Sequence, residues 1–116
     1  FLFRLMAVVN QYKFVGIDNS TSGSALTPLG SGIPAVNETV VIKSILVTSA
    51  ATPSVTVVNN NITAIKSVPL TANQTKELLI QPLIVEGGKT FTVQSSTSDS
   101  FDVAISYLNI KKEVTT

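Results

Sequence analysis

Phe101-Asp102-Val103-Ala104-Ile105-Ser106-Tyr107-Leu108-Asn109-Ile110 sets the fold class of this chain. Phe101, Val103, Ile105 and Tyr107 alternate with Asp102, Ala104, Ser106 and Leu108. Successive side chains of a strand point to opposite faces, so a period of two marks a strand with one face in a core. Upstream, Thr90–Ser95 repeats the pattern, with Phe91 and Val93 on one face and Thr92 and Gln94 on the other. Glu86-Gly87-Gly88-Lys89 precedes it as a turn, because paired glycines accept backbone angles that other residues avoid.

Further out, Thr39–Thr48 reads TVVIKSILVT and is apolar on both faces. Strict alternation puts Val40, Ile42 and Leu46 on one side and Val41, Ile45 and Val47 on the other. Such a strand is central in a sandwich or faces a subunit interface. Ser54–Val58 and Ile62–Val68 flank Asn59-Asn60-Asn61, a compact turn because Asn tolerates positive φ. Thr75–Gln81 is another strand, and Pro82–Val85 continues extended at a margin, since proline has no N–H for a ladder. Nearer the N-terminus, Gln11–Ile17 forms a strand with Tyr12 and Phe14 on one face. Ala25–Leu29 forms a short edge strand bounded by Pro28. Tyr12, Phe14, Phe91, Phe101 and Tyr107 all fall on strand periodicity and read as core.

No segment carries the i, i+3, i+4, i+7 pattern of an amphipathic helix. Seven or eight strands at intervals of roughly 8–14 residues predict one all-β domain, an antiparallel β-sandwich with jelly-roll-like topology. Its expected limits are 11–110, between an apolar arm at 1–10 and a tail at 111–116. Met6-Ala7-Val8-Val9 resembles a translation start. The preceding FLFRL is then either a start-site artefact or part of an arm that docks on its own or a neighbouring subunit. The stretch from Phe1 to Val9 is too short and wrongly flanked for a signal peptide.

The 116 residues include no His and no Cys, which removes Ser–His–Asp and Cys–His nucleophile pairs and imidazole or thiolate zinc sites. Charged residues make up only 13% against 44% hydrophobic, so the chain is too apolar for a disordered segment. A surface so poor in charge resists association weakly, which points to partner subunits and a homo-oligomer. The net charge of +1 and scattered basic residues give no electrostatic footprint for nucleic acid. No apolar run approaches the roughly 20 residues that span a bilayer, so no membrane partner is expected.

Among the carboxylates, Asp99 and Asp102 flank Phe101 and could join Asp18 around a calcium ion. Solvated loop charges are the simpler reading, and no cofactor or metal is assigned. The same acidic pair is the only support for a hydrolase, which would need two acids converging on a cleft. Gly88-Lys89-Thr90 has the letters that end a phosphate loop, but position 83 is Leu and a strand follows, so a hairpin turn is expected. Sequons at Asn19, Asn37, Asn61 and Asn73 carry little weight in a chain rich in Asn, Ser and Thr. An aromatic fraction of 6% without Trp supplies a poor stacking platform for sugars or bases.

Several segments, taken in order, resemble small β-sandwich virion structural proteins of tailed bacteriophages, of the cement or decoration type. They are Asn19-Ser20-Thr21-Ser22-Gly23, Ile33-Pro34-Ala35 before Val40–Ile45, Leu83–Lys89 before Phe91–Gln94, and Asp102–Leu108. The resemblance spans about residues 10–110, and each motif alone is ordinary strand-and-turn grammar. It implies a non-enzymatic protein of the capsid surface or head–tail region, bound to the major capsid protein or other virion proteins. The alternative is a tail, neck or fibre module that binds a receptor or carbohydrate through loops such as Asp18–Ser24 and Ser95–Ser100. For cement binding the subunit-contact candidates are Phe1, Leu2, Phe3, Leu5, Val8 and Val9 of the arm, and Val41, Ile45 and Val47 of the central strand.

Overall fold

The alternating C-terminal segment is the hinge of the architecture. In a computed structural model describing residues 5–19, 27–30, 32–96 and 101–115, it forms strand β8, Phe101–Thr115, between two partners. On one side lies β1, Leu5–Asn19, antiparallel and in unbroken register from Leu5↔Thr115 to Asn19↔Phe101. On the other lies β2, Glu38–Ser49. The remaining strands are β3 (Ser54–Asn59), β4 (Ile62–Pro69), β5 (Gln74–Glu77), β6 (Leu83–Val85) and β7 (Phe91–Ser95).

These eight strands make two antiparallel sheets, one in the order β1-β8-β2-β5 with β6 also on β2, the other in the order β4-β3-β7. The fold is an all-β sandwich. In a jelly roll lettered B to I along the chain, the sheets run BIDG and CHEF. Here β1, β8, β2 and β5 take the places of B, I, D and G, while β7, β3 and β4 take those of H, E and F. No described strand takes the place of C. The expected edge strand Ala25–Leu29 is not one where it can be followed: Thr27–Gly30 is a turn closed by Gly30 N–H donating to Thr27 O at 3.0 Å. Pro28 and Leu29 are buried there, so the apolar letters mark a plug rather than a strand.

Strands β5 and β6 are two halves of one strand position. Residue numbers paired with β2 sum to 123 along β5 (Leu46↔Glu77) and to 125 along β6 (Ile42↔Leu83), so two extra residues are accommodated between them. Pro82 lies in that interruption and has no N–H for the ladder. The Asn turn falls as expected: Asn60 and Asn61 have φ of 51° and 63°, the positive pair of a tight hairpin between β3 and β4. The Gly87–Gly88 turn is no hairpin, because β6 and β7 belong to different sheets. It carries the chain across the sandwich. A side chain at Gly87 would meet the carbonyl oxygens of Val36, Glu38 and Ala35 within 2.8 Å, so only glycine fits.

The core between the sheets is dominated by β-branched residues: Val40, Ile42, Ile45 and Val47 from β2 meet Val55, Val57 and Val93, with Val103 and Ile105 beside them. Phe91, Phe101 and Tyr107 complete it, as expected from their periodicity. One feature of β2 overturns strict alternation. A bulge at Lys43 sets Ile42 opposite Tyr107 and Ser44 opposite Ser106, so two steps on β2 match one on β8. Val40 and Ile42 face the core before it, and Ile45 and Val47 face the core after it. Leu46 is thereby turned out with Val41.

The ends of the domain also differ from expectation. Both β1 and β8 run through the expected boundaries at 10/11 and 110/111, and their outer portions pair with each other. Since β2 follows β8 only as far as Lys111, a two-stranded ribbon extends past the sandwich, and the molecule measures 63 × 23 × 22 Å.

Candidate functional site

The surface that stands out is the outer face of the five-stranded sheet. Core-facing residues of β8 have odd numbers (103, 105, 107), so Ala104, Leu108 and Ile110 face outward. Register then places Tyr12, Leu108, Val41 and Ile84 side by side across β1, β8, β2 and β6. Tyr12 is 82% exposed and Ile84 56%, while Leu108 and Val41 are half-buried between them. The flanking rows are Asn10–Ile110–Thr39 and Phe14–Ser106–Ser44, and none of these residues is charged. Phe14 is 69% exposed, and its ring lies 3.4 Å from the point where Gly16 would carry a side chain. A missing side chain on an exposed strand is thus covered by its neighbour two residues away. Farther along, Leu46 stands beside Ala104 and Gly16.

Two carboxylates that sequence reading left without a role hold this face in shape. Beside the bulge, the opposite edge of β2 has no ladder partner between β5 and β6, and Glu77 from the end of β5 fills that gap. Its Oε2 accepts from Ile45 N–H at 2.7 Å and its Oε1 from Ser44 Oγ at 2.5 Å. Leu78 N–H donates to Ile45 O at 2.9 Å, so both main-chain groups of Ile45 are engaged by the β5 end. At the far end of β2, Glu38 Oε1 accepts from Ala35 N–H at 2.8 Å and Oε2 from the Asn109 amide at 3.0 Å. The Ala35 N–H, then the Asn109 amide, hold the Glu38 carboxyl below the usual glutamate range, with Lys111 and Lys13 adding to the effect against partial desolvation. Burial raises the Tyr107 phenol above its ordinary range, and the negative charge of Glu38 adds to it.

The contact residues expected from sequence divide sharply. Val41 stands on the outer face as a contact candidate would. Ile45 and Val47 are fully buried in the core, which corrects their assignment to a free face; the bulge is the reason. Val9 is half-buried on the inner side of β1. Leu5 and Val8 belong to β1, but only their backbone is described, and Phe1, Leu2 and Phe3 lie outside the described residues. In the opposite direction, Tyr12 and Phe14 were expected in the core and are exposed. Leu46, Ile84 and Leu108 join them as face residues that sequence reading did not single out. The signal for β1 was present in its odd positions: Val9, Val15 and Ile17 form a second apolar series, and all three are half-buried. Treating the strand as beginning at Gln11 hid the first of them.

The acidic pair does not come together within the described residues. Asp99 lies outside them, and Asp102 is exposed on the outer face with Asp18 opposite in register. No group of three potential metal-ligating side chains occurs among the described residues. Gly88-Lys89-Thr90 leads into strand β7, as expected, rather than into a helix. Of the loops expected to serve a receptor-binding module, residues 20–24 and 97–100 lie outside the described residues. No protein-family model matches the chain, and no curated protein matches it either, so function is read from this surface and from the sequence pattern.

Proposed function

We propose that this chain is a non-enzymatic structural protein of a virion, acting as a capsid cement or decoration protein that binds across neighbouring capsomers. The observation that carries this reading is the uncharged row Tyr12–Leu108–Val41–Ile84 on the outer face of the five-stranded sheet. A soluble domain seldom leaves a contiguous apolar strip uncovered unless a partner covers it. The strip lies on a sheet backed by a buried apolar core, so it presents a surface that loses little conformational freedom on docking. The ordered resemblance to small phage virion proteins supports the same reading. Binding of this kind is geometric: apolar area leaves water at about 25 cal/mol per Å² before the costs of association.

The test is the copy number of the chain in native particles, together with rebinding of purified protein to particles stripped of it. A copy number matching a capsid lattice site, with rebinding abolished by Tyr12→Asp and Ile84→Asp, is the expected result. A few copies per particle, or rebinding indifferent to both substitutions, overturns the cement assignment.

A further inference from the structure

We infer that two copies of this chain join through the free edge of β1, in an antiparallel β1–β1 pairing that makes one continuous sheet across a two-fold axis. Among the described residues, β1 pairs with β8 alone, leaving its other side as an edge. An open edge offers a row of unpaired N–H and C=O groups to any other strand. Natural proteins blunt such edges with short strands, bulges, prolines or charges. The other edges here carry these devices. Strands β5 and β6 have 4 and 3 residues, β7 has 5, and β4 is broken by register shifts and ends at Pro69. Strand β1 carries none of the first three: its 15 residues contain no proline and pair without a shift.

Its composition selects a second copy as the occupant. Within Leu5–Asn19 the ionisable charges are one Lys and one Asp, Lys13 and Asp18, so the edge has no net charge to repel its own image. An antiparallel pairing about an axis perpendicular to the sheet keeps each outer face beside the other outer face. Tyr12 and Phe14 of both copies then lie on one surface, and the uncharged row at the centre of each sheet continues into the next. Phe14 already leans over Gly16, leaving a shallow, small-residue margin beside an aromatic one. Antiparallel pairing matches these unlike margins across the axis. The disfavoured alignments set Lys13 or Asp18 directly opposite itself, because like charges at opposed positions repel. The paired unit is therefore centred on another residue of the segment.

This inference rests on the assembly reading above, for which it supplies the building unit, but it is tested without particles. The chain has no cysteine, so a single introduced thiol reports its own neighbourhood. Nine variants, each with one cysteine between residues 9 and 17, are oxidised mildly and measured for covalent dimer, while sedimentation of the unmodified chain gives its mass. The expected result is a reversible dimer and a cross-linking yield that peaks at one position other than Lys13 and falls away on both sides. A paired strand sets opposed Cα atoms about 4.5–5.5 Å apart, within disulfide reach. Phe14→Lys, an exposed position, is expected to weaken the dimer at least tenfold with unchanged thermal unfolding of the diluted protein. A monomer at every concentration, a flat cross-linking profile, or a dimer unaffected by Phe14→Lys overturns the inference. An unmodified chain that dimerises but does not bind stripped particles would instead count against the cement reading alone.

Discussion

The two faces of the five-stranded sheet are built from the same strands and from similar residues, yet one is a core and the other a surface. Val40, Ile42, Ile45, Val47, Val103 and Ile105 are buried, while Val41, Leu46, Ala104 and Leu108 alternate with them and keep contact with solvent. Side-chain chemistry does not separate the two sets. What separates them is that the three-stranded sheet covers only one side. Hydrophobicity thus marks both faces as able to be buried, and the second sheet selects the one that is buried within the chain. The remaining face is where partner contacts are expected.

Neighbouring residues on opposite faces of β2 give the strongest test of this contrast. Ile45→Ala removes a fully buried side chain and is expected to destabilise by about 2–5 kcal/mol, whereas Leu46→Ala on the outer face is expected to lose less than about 1 kcal/mol. Chemical denaturation of both variants measures the difference; equal losses would mean that the bulge does not set the faces as described.

The next effect concerns what holds β2 beside the bulge. Glu77→Ala leaves Ile45 N–H and Ser44 Oγ without their acceptor and is expected to destabilise by about 1–3 kcal/mol. Because Glu77 is exposed, water compensates in part, which places the effect toward the lower end. Hydrogen exchange at Ile45 should accelerate in this variant more than at Val103, whose strand lacks this support.

A smaller effect follows from Glu38. Its folded-state pKa lies below the unfolded value, so its contribution is fully present above the ordinary glutamate value of 4.5 and is lost as the pH falls through the folded value. Urea midpoints recorded downward from pH 6 are expected to decline more steeply in the unmodified chain than in Glu38→Gln. Parallel curves would show that the Ala35 and Asn109 bonds do not favour the charged form.

The smallest effect on stability is expected at the outer aromatics. Tyr12→Ser and Phe14→Ser are expected to change unfolding free energy by about 0.5 kcal/mol or less, while reducing association. A large loss of stability in the dilute protein would show these rings to be packed within the chain and erase the contrast between the faces.

Much of this contrast could be traced in the sequence, and its failures have definite physical origins. Period-two alternation located the strand beginning at Phe101 and the core positions Phe91, Val93 and Tyr107. The Asn60-Asn61 turn was legible because few residues accept two positive φ angles in succession. The bulge was not legible. Lys43-Ser44 in the middle of an aliphatic strand is equally consistent with a polar pair on alternating faces, and only the pairing with Ser106 and Tyr107, more than 60 residues away, reveals the extra residue. Tyr12 and Phe14 misled because β1 is apolar in both phases, and local pattern contains no term for which side the second sheet will occupy. Ala25–Leu29 misled because an apolar run bounded by proline serves equally well as a strand or as a turn that buries Leu29.

The sequence by itself determined that the chain folds as strands, approximately where most of them lie, and that His- or Cys-based chemistry is absent from it. These properties are local or additive: residue volume, β-branching, turn conformations and a count of side-chain types. Tertiary structure alone decided which apolar face became the core, how the first and last strands paired into a ribbon, and which residues line up as one uncharged row on the outer face. Those outcomes depend on contacts between segments distant along the chain, above all the β8 pairings with β1 and β2 and the carboxylate of Glu77 at the bulge.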